Sequence, residues 1–416
     1  MHKKLNDANK LKQQLSLSSL IIFGIGIIIG AGIYAILGKA ASLSGYSLWL
    51  SFLIAGAIAF LTALSYCELI TLLPHAGAEY IYLKYAYPDF RLPSFLMGFI
   101  LLIAGGCTIS TIALSFGGYL HSICPIPKTI GAQGLLLLAT GINSLGIKNS
   151  SKANVLFTLI EVTGLFIIIW FGFNRSTQSN FLLETSINQG TFSAASLIFF
   201  VYLGFEDIAN LVEETIEPSK TIPKAMLISL LFSTLLYMAV ALAITKLVTP
   251  KVLASSDIPL AIALKNIAPK WMQVLKSIAL FSTFNTCLIS MLALSRMIYG
   301  IAKEGDLPKI LTVTSKIYKT PYLAQFCTLV ISVLFLLFGR LEILAGLSSF
   351  FALIGFFVVH WTLIILRFKM PKAKRPFELS LAIKKIPLVP IIGIISIAFL
   401  LVECIGPRLR LPVFNT

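Results

Sequence analysis

Charged residues are scarce in this chain: they make up 12% of its 416 residues, whereas hydrophobic residues make up 57%. Soluble globular domains carry about 25% charged residues, because their surfaces face water. A mean hydropathy of +0.91 suits a chain whose solvent is the hydrocarbon of a lipid bilayer. The composition therefore predicts an integral membrane protein.

Sequence signatures of metal, redox and nucleotide chemistry are also missing. The six cysteines form no C-x-x-C pair and the four histidines are dispersed, so we expect neither a metal site nor a disulfide framework. No G-x-x-x-x-G-K-[ST] loop occurs, which excludes nucleotide hydrolysis by a P-loop. Because no pairing of nucleophile and base emerges, we expect no enzyme and no cofactor, and any uphill work would come from an ion gradient or from exchange.

Long apolar runs are abundant. A helix needs about 20 residues to cross about 30 Å of hydrocarbon. We expect no cleaved signal peptide, since the first run exceeds the usual length, and one membrane domain over 1–416, since no loop could house a soluble one. The runs predict an all-α chain with eleven spans, at 17–37, 46–73, 93–120, 130–146, 153–173, 192–213, 222–245, 271–301, 322–338, 341–367 and 386–405.

Basic residues outnumber acidic ones, 33 to 17. They are spread among the loops rather than gathered on one soluble face, which argues against a nucleic-acid partner. With a cytoplasmic N-terminus, the larger share of Lys and Arg falls in cytoplasmic loops, as the positive-inside rule requires; the bias is strongest at 367–385. We expect a multi-pass protein of the bacterial inner or plasma membrane, surrounded by lipid, with its oligomeric state open.

The first predicted span contains four glycines, Gly24, Gly26, Gly30 and Gly32. Each glycine inside a helix costs about 1 kcal/mol relative to alanine, so the pattern predicts a broken helix. An unwound turn frees N–H groups on one side and C=O groups on the other, which together suit a zwitterion such as an amino acid. Alternatively, the glycines serve close helix packing, as in G-x-x-x-G patterns; the first span alone favours neither reading.

The sixth predicted span contains Gly204 followed by Glu206 and Asp207. Buried carboxylates are costly unless they are paired, protonated or hydrated, so these residues indicate a cavity or pathway. The two interrupted spans are five apart, which is the spacing of two inverted five-helix repeats that each begin with a broken helix. We therefore predict a first repeat at 17–173, a second at 192–367 and an additional helix at 386–405.

Short motifs along the chain resemble, in the same order, those of the amino acid permeases in the amino acid, polyamine and organocation (APC) superfamily. The resemblance covers nearly the whole chain. It implies the five-plus-five inverted-repeat (LeuT-like) transporter fold, and alternating-access transport of amino acids or related amines by proton coupling or exchange. The motifs are G-I-I-I-G-A-G-I-Y at 26–34, Y-C-E-L at 66–69, P-x-A-G-x-E-Y at 74–80, G-F-E at 204–206, E-E at 213–214, P-x-x-x-I-P-x-A at 218–225, S-R-x-x-Y at 295–299, E-G-x-L-P at 304–308 and R-P-F at 375–377.

The resemblance also implies a substrate site at the two breaks. Positions similar to those that bind the substrate carboxylate in arginine/agmatine antiporters are Gly30, Ala31 and Gly32. Positions similar to the ammonium-binding carbonyls are Ile28, Phe200 and Leu203, beside Gly204. Phe200 falls where those antiporters have a tryptophan that closes over the substrate, so an aromatic gate is expected; plain packing is the alternative.

Three carboxylates are candidates for ion coupling. Glu206 matches a glutamate proposed to respond to protons in those antiporters, and burial would favour its neutral form. Asp207 either shares this role or pairs with a lysine or water. Glu161 lies about 12 Å into the fifth span, where proton-coupled relatives can have a lysine. The carboxylate of Glu161, opposite in charge to that lysine, could take up protons, bind a cation or attract a cationic substrate.

Other polar residues receive structural interpretations. We expect Glu68, Glu213 and Glu214 to form ion pairs near helix ends, and Arg296 and Arg375 to be interface anchors. His360 is expected to hydrogen-bond between helices. Candidates for the pocket wall, which the sequence does not rank, are Ser282, Asn285, Ser290, Ser348 and Ser349.

Two rival functions stay open. One is a polyamine or amino-acid/amine antiporter, which the acidic residues Glu161, Glu206 and Asp207 favour. The other is a non-transporting membrane sensor or partner subunit that retains the fold.

Overall fold

A computed structural model describes residues 13–75, 77–145, 147–175, 186–256, 258–315, 317–338, 341–383 and 386–409. Several residues on which the predicted orientation rests lie outside these ranges, as do both ends of the 1–416 domain. They are Lys3, Lys4, Lys10, Lys12, Lys384 and Lys385.

Helices dominate the described residues. The α-helices are α1 Leu17–Ile28, α2 Ala31–Ser44, α3 Leu48–Leu72, α4 Ala78–Ala86, α5 Leu92–Ile123, α6 Lys128–Ser144, α7 Ile147–Asn174, α8 Gln189–Tyr202, α9 Pro218–Leu247, α10 Pro250–Ala254, α11 Pro259–Ile262, α12 Pro269–Lys303, α13 Tyr322–Leu336, α14 Leu341–Lys369 and α15 Leu388–Leu409. They are joined by 3₁₀-helices at Gly45–Ser47, Glu206–Glu214 and Lys309–Thr312 and by a short antiparallel pair, β1 Ala382–Ile383 and β2 Ile386–Pro387.

Several helix starts follow from local sequence. Asn188 and Thr191 form a capping box before α8, with the Thr191 N–H donating to Asn188 Oδ1 at 3.0 Å. Such a pair satisfies amides that the helix itself leaves free. Pro218 and Pro269 occupy the first positions of α9 and α12, where proline's missing N–H costs nothing.

Eight helical stretches among the described residues are long and apolar enough to cross a membrane. The chain is thus an integral, multi-pass membrane protein, as its composition predicts. The predicted spans at 130–146, 322–338 and 386–405 correspond to α6, α13 and α15; α6 and α13 have 17 and 15 residues. The eight stretches are Leu17–Tyr34, Ile36–Leu72, Leu92–Ile123, Val155–Asn174, Gln189–Glu214, Pro218–Leu247, Pro269–Lys303 and Ile343–Lys369.

Both predicted helix interruptions are confirmed. The first separates α1 from α2 at residues 29 and 30. The second follows α8, where Gly204 has a φ of +114°, a left-handed conformation that favours glycine. The chain then continues as the 3₁₀-helix Glu206–Glu214 rather than as an α-helix. Because 3₁₀-helices longer than about four residues are uncommon, this stretch is a candidate hinge.

The two breaks lie against each other. A side-chain carbon placed on Gly32 would come within 2.9 Å of Val201 Cα, just before the second break. One placed on Gly204 would come within 2.8 Å of Ile27 Cγ1, just before the first. Glycine at these positions therefore lets the two interrupted helices cross in close contact.

The predicted ion pairs are present. Arg296 on α12 holds Glu214 through two bonds of 3.0 and 3.1 Å, with both side chains buried. Lys303 holds Glu213 at 3.0 Å. Glu68 on α3 accepts two bonds of 2.6 Å from Arg367 on α14. The first two pairs join α12 to the 3₁₀-helix that follows the second break, and the third joins α3 to α14.

Two further polar predictions concern helix contacts. Arg375 Nε lies 3.2 Å from Glu68 Oε1, so this arginine anchors the segment after α14 to α3. The His360 ring on α14 hydrogen-bonds to Thr62 Oγ1 at 3.2 Å and Ser65 Oγ at 2.9 Å on α3. The predicted helix-to-helix role of His360 is confirmed.

Candidate functional site

A buried cavity of about 70 Å³ lies where the two breaks meet. A water molecule needs about 10–15 Å³ of such space, so several would fit. The wall combines both interrupted helices with α5, α12, α14 and the start of α4. The lining residues are Ile27, Ile28, Gly32, Glu79, Leu101, Ala104, Gly105, Thr108, Ile112, Phe200, Val201, Leu203, Gly204, Glu206, Asp207, Thr286, Ser290, Leu294, Met297, Ala352 and Phe356.

Most of the substrate-site residues inferred from the sequence meet at this cavity. Its wall includes Ile28, Gly32, Phe200, Leu203 and Gly204, as well as the carboxylates of Glu206 and Asp207. Gly30 and Ala31 are not in the wall itself; both adjoin it through the side chain of Thr286. Glu161 lies elsewhere. Among the unranked candidates only Ser290 lines the cavity.

Side-chain hydroxyls hydrogen-bond to backbone groups that the first break frees. The Ala31 N–H donates to Thr286 Oγ1 at 3.0 Å. On the other side of the break, the Tyr237 hydroxyl donates to the Ile28 carbonyl oxygen. These bonds satisfy a donor and an acceptor that would otherwise be costly to bury. A carboxylate approaching Ala31 or an ammonium approaching Ile28 would therefore compete with a hydroxyl.

The second break is stabilised by hydrogen bonds among the residues next to it in sequence. The Leu203 N–H donates to the Phe200 carbonyl at 3.2 Å, and the Asp207 N–H donates to the Gly204 carbonyl at 3.1 Å. The Gly204 N–H donates to Glu206 Oε2 at 2.9 Å. The Glu206 carboxylate thus supports the break directly, in addition to lining the cavity.

Glu79 is a cavity residue that the sequence analysis did not single out. It lies in the first turn of α4, which begins after Gly77, a glycine with a φ of +108°. The Tyr66 hydroxyl donates to Glu79 Oε1, while Glu79 Oε2 has no hydrogen-bond partner among the described residues. Burial raises the pKa of Glu79 above its ordinary value. The available signal was its place in the P-x-A-G-x-E-Y motif, in an otherwise apolar first turn.

The cavity is acidic. Glu79, Glu206 and Asp207 all line it, so these three carboxyl groups would repel one another if they were all ionised. Among the described residues that line the cavity there is no Lys, Arg or His. Charge balance must therefore come from protons or from whatever occupies the cavity.

Glu161 belongs to a separate polar cluster between α7 and α12. Its Oε1 accepts a bond of 3.0 Å from Asn285 Nδ2, and its main-chain oxygen accepts one of 3.4 Å from the Tyr34 hydroxyl. The side chain is fully buried, and within the described ranges Glu161 Oε2 has no hydrogen-bond partner. Glu161 is therefore placed to affect the packing of α7 and α12 rather than to touch a molecule in the cavity.

The glycines of the first span serve close packing. A side-chain carbon on Gly24 would approach Ser229 Oγ to 2.5 Å, and one on Gly30 would overlap Thr286 Oγ1. The packing interpretation thus describes the glycines well, and it is compatible with a ligand role because Gly32 also lines the cavity. Bulky replacement of Gly32 would strike the backbone of Val201, so it would disturb folding as well as binding.

The known proteins that this chain resembles are permeases and transporters. The family model described as "Amino acid permease" matches residues 15–413. A branched-chain amino acid permease of Bacillus subtilis (strain 168) is 28% identical, over 94% of this chain and 88% of its own length. A methylthioribose transporter of the same organism is 29% identical, over 94% and 87%.

Further relatives come from plants. The mitochondrial cationic amino acid transporter 3 of Arabidopsis thaliana is 29% identical, over 89% of this chain and 65% of its own length. These relatives are permeases and transporters, not enzymes. With a family model that spans nearly the whole chain, the protein belongs to the amino acid permease family of the APC superfamily.

Proposed function

We propose that this protein is a secondary active transporter that moves amino acids across the membrane by alternating access. The observation that carries this proposal is the meeting of two broken helices at one buried, acidic cavity. Broken helices that expose backbone groups at the membrane midplane are the usual binding device of such carriers. We assign the five-plus-five inverted repeat to 17–173 and 192–367, with 386–405 as an additional helix.

The proposed substrate pose uses both ends of each break. The substrate carboxylate accepts from the amides at Gly30, Ala31 and Gly32, where the start of α2 favours negative charge. The ammonium donates to the carbonyls of Ile28, Phe200 and Leu203 beside Gly204. Thr286 and Tyr237 occupy part of this site when no substrate is bound, since their hydroxyls satisfy Ala31 and Ile28.

Phe200 is the proposed gate. It is buried at the end of α8 and lines the cavity. Rotation of the two interrupted helices against the other helices would carry this ring over or away from the substrate. Opening and closing would then alternate between the two sides of the membrane.

Glu206 is the proposed link between protons and conformation. Its carboxylate accepts from the Gly204 N–H at 2.9 Å, and a charged acceptor makes a stronger bond than a neutral one. Protonation would weaken the contact that holds the second break. Asp207 shares the cavity, whereas Glu161 would act on coupling through α7 and α12.

The proposed orientation places the N-terminus in the cytoplasm of a bacterial cell and the protein in its plasma membrane. It is supported by the distribution of Lys and Arg among the loops. In this orientation the connection between α3 and α4, with Glu79 beyond it, lies on the cytoplasmic side of the breaks.

Uptake into proteoliposomes tests the proposal. The purified full-length protein would be given a panel of radiolabelled amino acids, with and without an inside-alkaline pH gradient. We expect saturable uptake of at least one amino acid, competed by unlabelled substrate. Absence of saturable uptake or exchange for every amino acid and amine would refute transport and leave a sensor or partner subunit.

An antiporter that exchanges amino acids for amines is the second candidate. The acidic cavity, which no lining base neutralises among the described residues, favours it. In the same assay it would give uptake only when the vesicles contain an amine or amino acid. Methylthioribose is a useful further solute, because one relative is named for it.

A further inference from the structure

We infer that Glu79, together with Glu206 and Asp207, forms a cation subsite that receives a second ammonium group on the side chain of the transported amino acid. This inference rests on the proposed function and narrows its substrate class to amino acids with a cationic side chain.

The first observation is the incomplete bonding of Glu79. The residue is 2% exposed and lines the cavity. The Tyr66 hydroxyl donates to Oε1, and Oε2 has no partner in the part of the chain that the structure describes. A buried polar atom without a hydrogen-bond partner destabilises the fold. A charged Oε2 lacks a donor and a protonated one lacks an acceptor, so either form needs an occupant of the cavity.

The second observation is a contrast with two buried carboxylates outside the cavity. Glu68 and Glu214 are each held by an arginine, through two bonds. Buried Glu79 and half-buried Glu206 have no such partner among the described residues, although both line the same cavity. An ammonium in the cavity would supply the missing charge, and its N–H donors would make charge-assisted bonds.

The cavity that Glu79 lines also offers apolar surface to an aliphatic stem. Leu101, Leu294, Met297 and Phe356 line the same cavity. Apolar walls with an acidic end match the amphipathic side chain of lysine, whose methylenes prefer apolar surroundings and whose head is charged.

Binding of lysine and norleucine to the purified full-length protein tests the subsite. The two amino acids have the same chain length, and only lysine carries the ε-ammonium. We expect lysine to bind at least tenfold more tightly. Glu79→Gln should weaken lysine binding at least tenfold and change norleucine binding less than twofold. Ser290→Ala, a change to an uncharged residue of the same cavity, should affect both ligands alike.

The other outcomes are separable. Equal affinity for lysine and norleucine in the wild-type protein would overturn the subsite and leave amino acid transport standing; this comparison decides even if Glu79→Gln does not fold. A Glu79→Gln variant that weakens both ligands equally would also overturn it. Tighter binding of 1,5-diaminopentane than of lysine would overturn the assignment to an amino acid. Failure of every amino acid to bind would refute the proposed function itself.

Discussion

At the residue scale, the freed backbone groups of the first break are already satisfied by hydroxyls from distant parts of the chain. Thr286 on α12 accepts from Ala31, and Tyr237 on α9 donates to Ile28. The break therefore remains stable without a ligand. The substrate would gain only the difference between its own bonds and those that it replaces.

Thr286→Val tests this exchange. Valine keeps the branched shape but removes the acceptor, so the Ala31 N–H would lack a partner until a carboxylate arrives. Since a buried hydrogen bond is worth about 1 kcal/mol, we expect the Kd for the transported amino acid to fall about fivefold. Thr283→Val is the matched control, because the Thr283 hydroxyl bonds only to its own helix, at Ala279 and Leu280. Weaker binding by Thr286→Val would instead make the hydroxyl a substrate ligand.

Glu161→Gln tests the coupling role of a carboxylate outside the cavity. Glutamine keeps the side-chain length and can still accept from Asn285, but it cannot exchange a proton. We expect the Kd for substrate to stay within twofold while the stimulation of uptake by an inside-alkaline gradient is lost. Glu206→Gln should change both quantities, since Glu206 lines the cavity. If the pH dependence of uptake is unchanged in Glu161→Gln, this residue has no role in coupling.

At the element scale, the second break depends on one backbone conformation and one close contact. Gly204→Ala would force a side chain into a left-handed conformation, at about 1 kcal/mol, and against Ile27. Gly305→Ala, at a φ of +93° with no atom within 4 Å, carries only the backbone cost. We expect Gly204→Ala to lower the Tm in detergent more than Gly305→Ala does. Equal shifts would show that the Ile27 contact is unimportant.

The 3₁₀-helix after the break is tied to α12 by two ion pairs of different burial. Breaking the buried Arg296–Glu214 pair with Arg296→Met should cost about 3–5 kcal/mol, because it leaves Glu214 buried and unpaired. Breaking the half-exposed Lys303–Glu213 pair with Lys303→Met should cost at most about 1 kcal/mol. Unfolding midpoints of the two variants measure the difference. A comparable loss of stability in both variants would show that the buried pair does not anchor the 3₁₀-helix more strongly than the exposed one.

At the scale of the whole molecule, the sequence predicted what depends on neighbouring residues. Glycines at 24–32 and the Gly204 to Asp207 run revealed the breaks because helix propensity and charge burial are local properties. The bond from Ala31 to Thr286 spans 255 positions, so no local pattern announces it. Glu79 was missed for a similar reason, since its place in the cavity wall depends on how α4 packs. Eleven apolar runs were counted, whereas eight helical stretches among the described residues meet the criterion for a span.

The buried carboxylates at helix ends are paired with arginines, whereas the central cavity is acidic. Arginines pair with the buried carboxylates Glu68 and Glu214 at helix ends, whereas no Lys, Arg or His among the described residues lines the cavity with Glu79, Glu206 and Asp207. We therefore expect the cavity to favour solutes that bear an ammonium group.

Solute counterflow tests the central claim, carriage by alternating access, most directly. Proteoliposomes loaded with an unlabelled amino acid would be diluted into a trace of the same labelled compound, without any ion gradient. We expect a transient accumulation of label above its equilibrium level, because one binding site that opens to the two sides in turn can carry solute in both directions. Label that never exceeds equilibrium, or that enters equally fast into empty vesicles, would contradict it.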